Sequence, residues 1–217
     1  NFVLIWITTN SMFDIKKLDD VSKNIISRMN SEEMYERVLA WAQTYDTPFA
    51  RLLEEKEDYA KQVFAMDRDG KPRPRKDITM WSEVKANCAY MFDLLYYVKD
   101  RHLDFEENIS LKDTKAVLEE YLFEYDHNMD KQAWFDNMKK VARANGFAGE
   151  MKEYKENPSA FKGHITNVST MVRVALTGSR QTPDLYEIQQ VLGDARVRAR
   201  LVETIRVLKL FIDKGKN

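Results

Sequence analysis

Hydrophobic residues recur every three or four positions along most of this chain, with charged and polar residues between them. Met34, Val38 and Trp41 are one example, and Leu201 and Ile205 belong to another near the end of the chain. This period is typical of amphipathic helices, whereas a strand would alternate polar and apolar residues. The pattern predicts nine helices, no strand and an all-α fold.

Side chains that cap helices, together with glycine, predict where these helices begin and end. Serine, threonine and aspartate accept hydrogen bonds from the free N–H groups of a first turn, and proline fits there because it has no N–H to lose. Glycine often follows a helix, because it adopts the left-handed conformation easily. The predicted starts are Ser31, Thr47 with Pro48, Ser110, Asp130, Thr182 with Pro183, and Asp194; the predicted ends are Gly146, Gly178 and Gly193.

Three predicted helices and one predicted loop matter below. Apolar residues form an amphipathic stripe over 13–29, a single helix is expected over about 47–66, and a long apolar helix is expected over 81–98. Cys88 falls on the apolar face of that last helix, so we expect it to be buried. The intervening segment 67–76 contains a glycine, two prolines and five cations, which favours a loop.

The charge of the chain is unevenly distributed. Residues 1–138 contain 19 Lys and Arg against 27 Asp and Glu, a net charge of −8, whereas residues 139–217 contain 15 against 8, a net charge of +7. A basic second part points to a polyanionic partner, although solvated helix faces of uneven charge explain the same counts. Because polar breaks lie near this change, we predict two consecutive helical subdomains of the bundle or α-helix cage type, 1–128 and 129–217.

Several classes of function find no support in the sequence. No apolar run is long enough to span a membrane, no signal peptide is recognisable, and the single cysteine favours the cytoplasm. Neither glycine-rich phosphate-binding motif occurs, so no cofactor is expected in this chain. The histidines, His102, His127 and His164, are too widely spaced for a metal motif. We therefore expect no catalytic residue and no metal site.

One segment resembles a known family. Residues 171–201, MVRVALTGSRQTPDLYEIQQVLGDARVRARL, are similar to the C-terminal signature of bacterial glutamyl-tRNA synthetases, roughly LRxALTGxxxxPxLxExxxxLGxxxxxxRL. The matching residues are Arg173, Ala175, Leu176, Thr177, Gly178, Pro183, Leu185, Glu187, Leu192, Gly193, Arg200 and Leu201. Residues 12–18 resemble the FDxxKL segment of that family, and residues 74–84 with 90–93 resemble the middle of some members.

This resemblance implies a fragment of a larger enzyme. The family carries HIGH-type and KMSKS-type motifs in a catalytic domain that uses ATP and magnesium, and neither motif occurs here. The chain thus resembles the C-terminal anticodon-binding region, which is expected to be inactive alone. The implied partners are a tRNA that accepts glutamate, or in some members glutamine, and the catalytic domain of the same chain. A monomer is expected.

The resemblance also assigns roles to individual residues. In the family, the arginine that matches Arg173 contacts an anticodon base, and the positions of Thr182, Pro183 and Tyr186 line the same pocket. Unpaired bases are commonly stacked on aromatic rings and read at their edges by guanidinium and hydroxyl groups, which suits these residue types. Further candidate RNA contacts are Arg73, Arg75, Arg196 and Arg198.

Structural explanations and an alternative function stand beside this interpretation. Thr182 and Pro183 fit a helix start, Arg173 fits a surface ion pair, and Arg200 fits an ion pair with Glu203 or Glu187. Arg196 and Arg198 also fit an exposed basic helix face without a partner. The alternative function is a helical protein–protein interaction module without an RNA role, with the aromatic-rich segment 81–97 as its contact face.

Overall fold

The computed structural model describes residues 15–97 and 103–215, and it confirms the all-α prediction. Within these ranges there are twelve α-helices, two 3₁₀ turns and an isolated bridge between Ala148 and His164. The α-helices are α1 Ile15–Ser27, α2 Ser31–Tyr45, α3 Thr47–Glu55, α4 Glu57–Ala65, α5 Trp81–Cys88, α6 Asp93–Tyr96, α7 Leu111–Glu124, α8 Lys131–Ala144, α9 Met151–Glu156, α10 Ile165–Thr177, α11 Leu185–Leu192 and α12 Asp194–Asp213. The 3₁₀ turns are Ala89–Met91 and Pro158–Ala160.

Two predicted helix caps are wrong by one residue. Asn30, not Ser31, caps α2, where it forms a reciprocal capping box with Glu33. Asp46, not Thr47, caps α3, and its carboxylate accepts a hydrogen bond from a first-turn N–H. The cap is the residue whose side chain accepts a hydrogen bond from the third N–H of the helix. In α2 and α3 that residue lies one position before the predicted cap. The caps Ser110 and Asp130 and the helix end at Gly178 are confirmed.

Two helices that the periodicity predicted as continuous are broken. The helix expected over 47–66 stops at Lys56, which leaves the helical conformation between α3 and α4. The helix expected over 81–98 becomes α5, a 3₁₀ turn and the short α6, and its last residue lies outside the described part of the chain. Phe92 is extended at that break and is buried, as is Cys88. The apolar residues around the second break therefore belong to the core.

The amphipathic stripe near the start of the chain faces solvent. Leu18, Val21 and Ile25 on α1 are each at least half exposed, whereas Ile26 is buried. The Ser22 hydroxyl donates to the Thr79 carbonyl oxygen at 2.7 Å. Helix α1 therefore contacts the body of the domain along a narrow face, and Phe13 of the predicted stripe lies outside the described residues.

A continuous apolar core runs through the described residues, from Ile26 in α1 to Leu208 in α12. Helix α7 packs on α8, α10 and α12, and α4 packs on α11, so packing crosses the predicted subdomain boundary near residue 128. That boundary stays a prediction. None of the described helices has the length and apolar character needed to cross a membrane.

Arg200 lies at the centre of this packing, where its side chain is fully buried. Its Nη1 donates to the carbonyl oxygens of Tyr90 at 2.7 Å and Leu176 at 2.9 Å, and its Nη2 donates to Asp93 at 3.0 Å. The guanidinium also lies 3.7 Å from the ring centroid of Tyr96. The paired carboxylate is therefore that of Asp93, not one of the two acids nearer in sequence. Arg200 joins α12 to the end of α10 and to the segment that follows α5.

Candidate functional site

Arg173, in the third turn of α10, organises the segment that leads into α11. Its Nη1 donates to the carbonyl oxygens of Thr182 at 3.3 Å and Pro183 at 2.6 Å, and to the Thr182 hydroxyl. The chain returns toward Arg173 because α10 ends at Gly178, whose φ of 78° is left-handed and suits glycine. Arg173 is therefore bound to its own loop, rather than forming a surface ion pair.

These bonds leave part of the Arg173 guanidinium available. Every hydrogen bond between Arg173 and the described residues starts at Nη1. A guanidinium carries five N–H donors in a planar fork, so the Nε–Nη2 edge still offers two parallel donors. Burial lowers the pKa of Arg173 and the nearby Asp184 carboxylate raises it, but an arginine with a lowered pKa still stays protonated at neutral pH.

A pocket opens beside this side chain and is rich in cations and hydroxyl groups. We call it the Arg173 pocket; it has a volume of about 420 Å³. Its lining consists of three arginines, four hydroxyl residues and one amide: Arg75, Arg173, Arg180, Thr166, Ser169, Thr170, Thr182 and Gln181. The pocket brings together three residues that were predicted from the sequence, Arg173, Thr182 and Arg75. Arg180 was missed, although it lies between the Gly178 and Thr182 positions of the family signature.

Hydrogen bonds hold the 67–76 loop, and with it Arg75, against the start of α11. The Asp184 N–H donates to the Asp67 carboxylate at 2.8 Å, and the Asp67 N–H donates to the Glu187 carboxylate at 2.9 Å. Lys71 forms an ion pair with the same Glu187 carboxylate. Asp67 has a positive φ of 52°, and these reciprocal bonds compensate for the cost of that conformation. We call Asp67, Lys71, Asp184 and Glu187 the loop clamp.

The two candidate arginines of this loop are placed differently. Arg75 lines the Arg173 pocket, and its Nε donates to the Asp77 carboxylate at 3.0 Å. Arg73 is exposed and is not part of the pocket lining. The geometry thus separates two residues that the sequence left equivalent, although an RNA contact by either stays a prediction.

A comparison with protein families decides where this chain belongs. Residues 33–205 match the anticodon binding domain family, and the match takes in both the 67–76 loop and the Arg173 pocket. The chain is a member of that family.

Curated relatives agree with this assignment. The glutamate–tRNA ligase of Acetivibrio thermocellus is 38% identical over 193 residues, which cover 89% of this chain and 35% of the relative. The enzyme of the same name from Clostridium perfringens strain 13 is 39% identical over 194 residues, 89% of this chain and 35% of the relative. The glutamate–tRNA ligase of Sorangium cellulosum is 39% identical over 191 residues, which cover 88% of this chain and 33% of the relative. The resemblance to glutamyl-tRNA synthetases is confirmed, and the chain spans about a third of the length of these relatives.

Pro183 and Tyr186 of the anticodon-binding domain lie beside the Arg173 pocket rather than in its lining. Helix α11 begins at Leu185 with Asp184 as its cap, so Thr182 and Pro183 do not start the helix. Pro183 contacts Arg173 through its carbonyl oxygen, which accepts the Arg173 hydrogen bond. The Tyr186 ring packs on Trp134, with centroids 5.6 Å apart, and its hydroxyl donates to the Met129 carbonyl oxygen at 3.0 Å. The ring is half-buried, and stacking of a base on it stays a prediction.

Arg196 and Arg198 of α12 make intramolecular contacts. Arg196 lies over the ring of Tyr59, 4.6 Å from its centroid, and donates to its hydroxyl at 2.9 Å. Arg198 donates to the Tyr125 carbonyl oxygen at 2.7 Å and pairs with Asp194. The contact of Arg198 lies just beyond the C-terminal end of α7, where a cation is favourable. Both side chains contribute to the packing of the domain, and an RNA contact by either stays a prediction.

Segment 81–97, the contact face of the alternative function, is partly used for folding. Tyr90, Phe92 and Tyr96 are buried in the core, whereas Tyr97 is more than half exposed. Most of the aromatic side chains that suggested a protein-contact face thus contribute to the core. Among the described residues, no group of histidine, cysteine and acidic side chains is arranged to hold a metal ion.

Proposed function

We propose that this domain binds the anticodon loop of a tRNA, with one or more unpaired bases in the Arg173 pocket. The observation that carries the proposal is the convergence of Arg75, Arg173 and Arg180 with four hydroxyl residues in one pocket. Cations neutralise phosphates, and hydroxyl and guanidinium groups form hydrogen bonds to the exposed edges of unpaired bases.

The proposed role of Arg173 follows from its divided set of donors. Its Nη1 is bonded to the loop at Thr182 and Pro183, which fixes the orientation of the guanidinium plane. The Nε–Nη2 edge then presents two donors to acceptors on a base. A fixed fork distinguishes bases better than a mobile cation does, because the incorrect base leaves donors without partners.

The larger protein is proposed to be a glutamate–tRNA ligase, the name that the curated relatives carry. Such an enzyme would charge tRNA in the cytoplasm as a monomer, and its catalytic domain would bind ATP and magnesium. The anticodon-binding domain would position the tRNA for that domain and catalyse nothing itself. Members of the family differ in whether they charge glutamate tRNA or also glutamine tRNA, and the Arg173 pocket is where we place part of that choice.

A titration of the domain with the anticodon stem-loop of glutamate tRNA tests the proposal. Fluorescence anisotropy at low salt should detect binding that weakens as salt increases, by about 0.7 in log–log slope for each neutralised phosphate of a single strand. Arg173→Ala should weaken binding, whereas Arg206→Ala removes the same charge from an exposed position of α12 and should have little effect. No binding at low salt, or equal losses for both variants, would contradict the proposal.

A further inference from the structure

Arg180 is a cation of the Arg173 pocket that the family signature does not mark. It lies in the segment between α10 and α11, its side chain is 46% exposed, and it belongs to the pocket lining. The Arg173 guanidinium is fixed by three acceptors in its own loop, whereas the hydrogen bonds of Arg180 go to a single carboxylate, that of Asp104.

The contact between Arg180 and Asp104 has the geometry of a fork on a carboxylate. Nε donates to one Asp104 oxygen at 2.8 Å, and Nη2 donates to the other at 2.9 Å. These hydrogen bonds raise the pKa of Arg180 above its ordinary value, as expected for a charge-assisted pair. The Asp104 side chain is 39% exposed, so both partners are accessible to water and to a ligand.

The carboxylate belongs to an acidic segment that lies against α10. Glu106 and Glu107 follow Asp104 closely, and the Asn167 side chain donates to the Glu106 carboxylate at 2.6 Å. Asn167 is the neighbour of Thr166, which lines the Arg173 pocket. An RNA strand that enters the pocket therefore meets the Arg180 guanidinium already paired with a carboxylate of the protein.

We infer that Arg180 exchanges the Asp104 carboxylate for an RNA phosphate when the anticodon loop binds. A phosphate presents two oxygens in nearly the same arrangement as a carboxylate, so the Nε–Nη2 edge fits either partner. An exposed ion pair of this kind adds little to stability, so it is given up at little cost. The inference rests on the proposed function, and it assigns Arg180 to phosphate binding, in contrast to base recognition by Arg173.

The exchange also explains why a carboxylate is located beside an RNA pocket. Before binding, Asp104 holds the Arg180 fork in place and lowers the local positive potential. Any polyanion then gains less from Arg180 than it would from a free cation, because it must displace Asp104 first. The Arg180–Asp104 pair is thus expected to lower the affinity for cognate and non-cognate RNA alike, since both present the same phosphates.

A double-mutant cycle at these two positions tests the exchange, with the anticodon stem-loop of glutamate tRNA as the probe. Arg180→Ala should weaken binding about three- to tenfold for cognate and anticodon-substituted stem-loops alike, and should reduce the salt slope by up to about 1, as for a phosphate contact. Asp104→Asn should tighten binding about threefold or more and steepen the slope, because Arg180 then loses the carboxylate that accepts both of its hydrogen bonds. Asp58→Asn, an exposed carboxylate of α4, controls for the loss of one negative charge.

The double variant distinguishes exchange from a general charge effect. In the Arg180→Ala background, Asp104→Asn should have no more effect than Asp58→Asn. Equal tightening by Asp104→Asn with and without Arg180 would overturn the exchange, as would an Arg180→Ala variant that binds like the wild type while Arg173→Ala fails. If the wild-type domain does not bind the stem-loop at low salt, the proposed function itself fails, and the exchange with it.

Discussion

The Nη1 atom of Arg173 lies 2.6 Å from the carbonyl oxygen of Pro183. This hydrogen bond ties the third turn of α10 to the residue just before the cap of α11. One guanidinium thereby holds the wall of the Arg173 pocket in place and also lines that pocket. Changes at Arg173 should therefore affect the order of the loop and the recognition of RNA, and these effects require separate measurements.

Replacement of Arg173 by lysine should separate charge from geometry. Arg173→Lys keeps the positive charge but loses the planar fork, so it should retain salt-dependent binding and lose discrimination at one anticodon position. Arg173→Ala should lose both, with discrimination reduced by about 1–3 kcal/mol, the magnitude of a good two-donor base contact. Anisotropy titrations with stem-loops that differ at single anticodon positions measure these losses.

A third variant controls for the order of the loop. Thr182→Val removes a hydroxyl that accepts from Arg173 but leaves the guanidinium itself unchanged. Thr182→Val should change the affinity for the stem-loop without removing the preference for the cognate anticodon. If Arg173→Lys discriminates as well as the wild type, then Arg173 contacts a phosphate and is not a base-reading residue.

Arg200 should be essential to stability rather than to RNA binding. Its side chain is fully buried and bonded to Tyr90, Leu176 and Asp93. Arg200→Ala leaves a cavity and unpaired carbonyl oxygens, and removes the partner of the half-exposed Asp93 carboxylate, so it should lower the free energy of unfolding by about 3–5 kcal/mol in urea titrations. Arg206→Ala, exposed on the same helix, should change it by less than about 0.5 kcal/mol. Similar small values for both variants would contradict the role of Arg200 in the core.

The helical fold follows from the spacing of apolar residues, but the breaks within it do not. At Lys56 and near Cys88 the periodicity continues while the chain bends. At the second break, the burial of Phe92 outweighs local helix propensity. Two predicted helix caps are misplaced by one residue, since two adjacent residues at the start of a helix are often both able to cap it. The positions of helix breaks and caps depend on how side chains pack in the folded protein, and the spacing of apolar residues does not predict that packing.

The candidate site was partly predictable for a different reason. Arg173 and Thr182 lie within a recognisable signature, so the resemblance identified them. Arg75 was one of two equivalent arginines, and its place in the pocket depends on the loop clamp at Asp67 and Glu187. Those contacts join segments that are distant in sequence, and no local sequence pattern predicts them.

Acid should weaken the start of α11 through the Asp184 carboxylate, which caps that helix. Burial by itself raises the pKa of Asp184, but hydrogen bonds from Lys131 and from the Glu187 N–H more than compensate, so the pKa lies below its ordinary value. A carboxylate with a lowered pKa stabilises the fold above its unfolded-state pKa of about 3.9, and that contribution is lost as the pH falls through the folded-state value. Between pH 6 and pH 3, the free energy of unfolding should therefore fall by less in Asp184→Asn than in the wild type. The difference between the two decreases should be up to about 1 kcal/mol.

The asparagine in that variant still caps α11, so the helix start is preserved. Asp58→Asn on α4 supplies the control for a change of one charge at an exposed position. Identical pH profiles for wild type and Asp184→Asn would remove Asp184 from the acid response.

Cys88 should be inert in the folded protein. Burial raises the pKa of its thiol to about 12, and the thiolate is the reactive form. Ellman's reagent at pH 8 should therefore modify the folded domain at least about a hundredfold more slowly than the urea-unfolded chain. Since the unfolded thiol ionises near pH 8.5, the contribution of Cys88 to stability is present below that pH and is lost above it. Rapid labelling under native conditions, with Cys88→Ala as the blank, would contradict the buried position.

A photocrosslink from the anticodon loop tests most directly whether that loop enters the Arg173 pocket. A stem-loop of glutamate tRNA with 4-thiouridine at one anticodon position would be irradiated on the domain, and the attached peptide identified by mass spectrometry. The crosslink is predicted in the segments that line the pocket, which are α10, residues 180–182 and the loop at Arg75, and should be lost in Arg173→Ala. Crosslinks confined to other surfaces, and unchanged in Arg173→Ala, would contradict anticodon binding at this site.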